Sequence, residues 1–212
     1  MKRATKYGII VLFTLLLFFP LVFCNGKLEP TKGISMRQDM PETVVFDFTK
    51  EGVRKGFLPI TDNVMGGVST AQFEAEKSPE EFAAFTGNLS LDNFGGFATV
   101  RSPTKTYDLS EFSGLELRLR GDGKTYIFFL KSNEKNNGYQ YQTWFATQAG
   151  KWEDIKLPFS EFRPYYRGMK LRLWAGLNPG KIQAMGFMIA DKQDGSFNLD
   201  VQYIGAYKNS DP

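Results

Sequence analysis

An all-β fold, an antiparallel sandwich or barrel, is predicted by three observations. Apolar residues alternate with period two through the body of the chain, turn residues break it into short runs, and no convincing amphipathic helix occurs. Leu115-Glu116-Leu117-Arg118-Leu119-Arg120 sets the pattern, with leucines on one face and charges on the other, as a half-buried strand requires. Aromatic residues make up 15% of the 212 residues and supply large side chains for one core; this length suits a single domain.

The amino terminus is expected to be an address rather than part of the fold. Lys2, Arg3 and Lys6 precede an apolar run from Gly8 to Phe23, the order of a secretory signal peptide and short for a membrane helix. Leu21-Val22-Phe23-Cys24 resembles a bacterial lipobox, although Phe23 is bulkier than the residue usual before the cysteine. The expectation is therefore an exported chain, periplasmic or at the cell surface, anchored by a lipid on Cys24. Residues 25–42 are polar and carry Pro30 and Pro41, as a linker would. A domain over residues 43–208 and a short tail, 209–212, complete the predicted organisation.

Strands are expected at Val44–Phe48, Phe82–Leu91, Phe97–Ser102, Leu115–Arg120, Tyr126–Lys131, Tyr139–Ala146, Trp152–Leu157, Ala184–Ile189 and Phe197–Tyr207. Between them lie turn signals at Asp92–Gly96, Gly121-Asp122-Gly123, Asn136-Asn137-Gly138, Asn178-Pro179-Gly180 and Asp194-Gly195. Pro158 has no N–H to donate and should end its strand, so that a single turn follows and packs Phe159 and Phe162. The succession of Trp152, Pro158-Phe159-Ser160 and Phe162 is similar to one found in jelly-roll carbohydrate-binding modules, which favours a jelly roll.

Composition excludes several functions. There is no histidine and the only cysteine is Cys24, so neither a His-dependent catalytic apparatus nor a domain disulfide can be built. Without Lys2, Arg3 and Lys6 the chain carries 23 basic against 23 acidic residues, which gives no electrostatic basis for nucleic-acid binding. Catalysis would fall to Asp, Glu, Lys, Tyr or Ser alone, as in carboxylate-based glycosidases. A non-enzyme needing no cofactor is the expectation. Asp191-Lys192-Gln193-Asp194-Gly195 lacks the acidic residue that closes a calcium loop and reads as a hairpin, so no metal site is predicted.

Three stretches carry more than fold: Asp62-Asn63-Val64-Met65-Gly66-Gly67-Val68-Ser69, Gly95-Gly96-Phe97 with Arg101, and Arg120-Gly121-Asp122-Gly123 with Tyr126. Tyr139-Gln140-Tyr141-Gln142, Trp152–Phe162, Arg167-Gly168 and Gly205-Ala206-Tyr207 follow in order. In this succession the chain resembles the complex I intermediate-associated protein family from about Phe48 to Tyr207. The resemblance implies a galactose-binding-like sandwich and, for mitochondrial members, a helper role in assembling respiratory complex I.

The residues also have their own chemistry. Asp62 and Asn63 can bind a hydroxyl or cation, or cap their own backbone, while Gly66-Gly67 suits a tight turn or bulge. Arg101 and Arg120 each offer a fork for carboxylate or phosphate, with a pair to Asp122 favoured for Arg120. Trp144, Trp152, Trp174, Tyr139 and Tyr141 can stack on sugars, with Trp152 assigned to the core and Tyr141 and Gln142 to a concave binding face. Two functions remain. One is an assembly factor tethered by its amino terminus, whose Asp62, Asn63, Met65, Ser69, Arg101 and Arg120 cluster to bind a protein partner, a membrane complex or its subunits. The other is a glycan-binding module using Tyr141, Gln142 and an exposed tryptophan.

Overall fold

The computed structural model describes residues 41–77, 81–132, 139–172 and 176–209. Residues 39–212 form one compact unit. Cys24, the expected signal peptide, most of the linker, Trp174 and the Asn136–Gly138 turn lie outside the described residues. Among the described residues there is no α-helix, so none long and apolar enough to cross a membrane.

The strands are β1 (Thr43–Asp47), β2 (Leu58–Thr61), β3 (Thr70–Lys77), β4 (Glu81–Leu89), β5 (Ala98–Arg101), β6 (Gly114–Gly121) and β7 (Thr125–Ser132). They continue as β8 (Tyr139–Ala146), β9 (Trp152–Pro158), β10 (Arg163–Tyr166), β11 (Met169–Lys170), β12 (Ile182–Ile189) and β13 (Gly195–Tyr207). Six form one sheet in the order β3-β4-β13-β6-β9, with β1 also on β13. Seven form the other in the order β11-β10-β8-β7-β12-β5-β2. Every pairing is antiparallel, giving the predicted β-sandwich of jelly-roll type.

Alternation builds the core. Leu115, Leu117 and Leu119 of β6 face Val100, Phe128 and Phe187 of the opposite sheet, and all six are fully buried. Each such side chain contributes about 1.5–3 kcal/mol on leaving water. Phe46, Phe48, Phe57 and Phe73 close one end as an aromatic cluster, with Phe46 edge-on to Phe57 at 4.9 Å between ring centres. A bulge between Val201 and Tyr203 re-phases β13, so that both Val201 and Ile204 point inward. Pro158 ends β9, and the turn at Phe159–Glu161 delivers Phe159 and Phe162 to the core. β2, β3, β10 and β11 are strands that the sequence did not announce.

Candidate functional site

Strand β2 runs into a single 3-10 turn at Asp62–Met65, ended by Gly66 in the left-handed region at φ 93°. Asp62 is fully buried, as is Ser69 at the far side of the loop. The Asp62 carboxylate accepts from the Ser69 N–H at 3.0 Å and the Ser69 hydroxyl at 2.5 Å. It also accepts from the N–H groups of Gly96 at 2.6 Å and Phe97 at 3.3 Å, in the loop that leads into β5. The Ser69 hydroxyl in turn accepts from the Ser90 N–H at 3.0 Å. Burial pushes the Asp62 carboxyl upward, but these donors outweigh it and hold the group below its ordinary value. A Cβ at Gly67 or Gly95 would collide with this carboxylate, which is why the motif needs glycine at both positions.

The keyed loops carry their apolar residues outward. Val64, Met65 and Val68 are 71%, 67% and 50% exposed, Leu91 is 41% exposed, and Phe94 is wholly exposed. Asn93 and Phe94 both hold positive φ, at 55° and 61°, an uncommon conformation for a bulky side chain. Asn63 is exposed beside Val64. The sequence indicated Asn63 and Met65. It did not indicate Phe94, whose only local signal is its place between Asn93 and Gly95-Gly96.

The other expected site residues do not gather here. Asp62 and Ser69 are interior, Arg101 lies at the end of β5 in the seven-stranded sheet, and Arg120 lies on β6 in the six-stranded sheet. The expected single cluster is therefore divided. Arg120 does not pair with Asp122. Its register neighbour on β13 is Asp200, and the guanidinium binds that buried carboxylate at 2.7 Å while lying over the rings of Phe82 and Trp152. Asp122 is occupied elsewhere, accepting from the Lys124 N–H, the Tyr126 hydroxyl and the Asn198 N–H. Trp152 is not in the core either: it is half-buried on the outer side of β9, edge-on to Phe82.

Tyr141 shares the inner side of β8 with Phe145 and packs in the core, which removes it as a stacking platform. Gln142 faces outward but is only 5% exposed, its side-chain amide donating to Gln140. Trp144 is the more exposed ring on this strand, with its indole N–H donating to Asp191 at 2.8 Å and Tyr165 beside it. Asp191 and Lys192, both at positive φ, lie in the connection between β12 and β13; these strands belong to different sheets and do not pair, so the expected hairpin does not form. On the outer side of the six-stranded sheet Tyr203 donates toward Glu116 and Asp154. Burial, then those two carboxylates, push its phenol well above the usual range. No group of three potential metal ligands occurs among the described residues.

Two antiparallel sheets carrying a keyed pair of loops define a galactose-binding-like β-sandwich. A family 11 carbohydrate-binding module of a Clostridium thermocellum cellulosomal cellulase has this fold, with a TM-score of 0.62 over 82% of this chain and 99% of the module. At 17% identity that likeness shows the fold alone. The model of the family described as complex I intermediate-associated protein 30 matches residues 46–201, and the chain belongs to this family. The mitochondrial protein of that name from Mus musculus is 34% identical over 84% of this chain, and its Drosophila melanogaster counterpart 28% over 76%. The matches span 59% and 62% of those two proteins. These relatives are mitochondrial, which overturns the expected export to a periplasm or cell surface and the lipid anchor on Cys24. A basic amino terminus is common to several kinds of targeting segment, so charge followed by an apolar run does not identify one.

Proposed function

We propose that this protein is a non-catalytic binding protein that assists assembly of a multi-subunit membrane complex, as the names of its relatives indicate for complex I. Its protein partner docks on the apolar cap made by Asn63–Val68 and Leu91–Phe94. The observation that carries this reading is the pair of loops held by the buried Asp62 while Val64, Met65, Val68, Leu91 and Phe94 stand in water. Exposed apolar side chains on a rigid support are what an interface core requires. Phe94 at positive φ fits the same reading, since a strained residue persists where its surroundings and its use demand it. Asp62 is tied to its donors, Asp200 to Arg120, and Glu116 and Asp154 to Tyr203, each in a structural role.

The test is genetic and biochemical together. Cells lacking the gene should accumulate less intact NADH:ubiquinone oxidoreductase on native gels, and the wild-type chain should restore it. A V64S/M65S/F94S variant present at the wild-type level should not. Normal complex in the deletion strain, or full rescue by the triple variant, would sink the proposal.

A further inference from the structure

The outer face of the seven-stranded sheet holds a second set of groups. Register aligns Leu58, Arg101, Gly186, Phe129, Gln142 and Arg163 in one row across β2, β5, β12, β7, β8 and β10. Lys131 stands two residues beyond Phe129 on β7, opposite Ala184. Arg101 and Lys131 are thus diagonal neighbours across β12, and the side chains between them there are the absent one of Gly186 and the methyl of Ala184. The Phe129 ring lies against Gly186 and is buried although it faces away from the core.

Both cations are half-buried, and among the described residues no carboxylate pairs with either. Burial, and then the Arg101 guanidinium, lower the Lys131 ammonium below the ordinary lysine value. Two partly desolvated like charges over a floor of small and aromatic residues are unfavourable alone. An anion between them reverses the sign of the interaction, and an Arg fork beside an ammonium matches the oxygens of a carboxylate or phosphate.

We infer that Arg101 and Lys131 form a binding site for an oxyanion, a carboxylate or phosphate group, on the outer face of the seven-stranded sheet over Gly186 and Phe129. The site is separate from the apolar cap and does not depend on it.

Thermal unfolding of the full chain at low ionic strength tests it, with inorganic phosphate, acetate, or sodium chloride of equal ionic strength added. Phosphate or acetate at about a hundred times its dissociation constant should raise Tm by about 5 °C or more above the chloride control. A response to phosphate alone assigns a phosphoryl ligand; a response to acetate, with or without phosphate, assigns a carboxylate-competent site. Arg101→Gln and Lys131→Gln should each weaken the effect at least about tenfold, because each removes a charge-assisted contact. Each unliganded variant should match or exceed the wild-type Tm, since the repulsion has gone. A Tm rise no larger than that with chloride, one that persists in both variants, or unliganded variants that unfold well below wild type would overturn the inference.

Discussion

Asp62 accepts four hydrogen bonds from two loops, and three of the donors are backbone N–H groups that no substitution elsewhere can supply. Asp62→Asn keeps the volume but turns an amide toward some of these donors, which should cost about 3 kcal/mol, a Tm loss of roughly 6–12 °C in a domain of this size. The sign of the pH effect follows. The ordinary Asp value is 3.8 and the folded-state value is lower, so the stabilisation is complete above 3.8 and is lost as pH falls through the folded-state value. Wild-type Tm should therefore fall more steeply than that of Asp62→Asn below about pH 4; parallel curves would remove Asp62 from the account. Phe94 makes the opposite case. Phe94→Gly relieves a positive φ and uncovers nothing in the core, so Tm should stay level or rise while partner binding is lost. A fall of several degrees would make Phe94 a structural residue. The motif around Asp62 was legible in the sequence, but its burial was not, because an Asp beside a turn ordinarily faces water and Gly96 lies 34 positions on. Lys131 ends the expected strand Tyr126–Lys131, and the period-two phase of Ile127, Phe129 and Lys131 is the signal that places it outward.

Strands with strong alternation were legible close to their ends: β8 spans the expected residues, and β6 carries the alternating Leu115, Leu117 and Leu119. The strands that escaped notice lie at or beside sheet edges. β2 and β10 contain Pro59 and Pro164, and β3 alternates but offers mainly Ala71, Phe73 and Ala75 to the interior. An edge strand needs fewer donors and buries less apolar area, so its composition is weakly constrained. The outer side of the six-stranded sheet shows what the pattern does fix. β6 sends Arg118 to Asp154 and Arg120 to Asp200, each guanidinium also lying over Trp152. Asp200 is buried, so Arg120→Met leaves its carboxylate without a cation. Discounted for the partial exposure of Arg120, the loss should be about 2 kcal/mol, read as a Tm lowered by about 4–8 °C. Binding at the apolar cap should be unchanged, because β6 does not contribute to it. An unaltered Tm with weakened binding would return Arg120 to the partner site.

β13 ties the molecule together. It pairs with β4 along its first half, with β1 along its second, and with β6 from Leu199 to Tyr207, so the first and last described strands are neighbours. Pro41, just before β1, packs on Gly205 of β13. Three of the eleven strand pairings among the described residues, β3–β4, β7–β8 and β10–β11, are hairpins, while the other eight join residues more than 20 positions apart, and neither sheet can bury its inner face without the other. Unfolding should then be a single cooperative transition. Every strand among the described residues lies within residues 39–208, and neither histidine nor a second cysteine is available to staple them. The segment 39–208 expressed alone should therefore give a β-dominated circular dichroism spectrum and one transition at the Tm of the full chain. Chelator and reductant should leave that Tm unmoved. Two transitions, a fall in Tm on adding chelator, or failure of the segment to fold would mean that the sandwich draws stability from a metal or from residues 1–38.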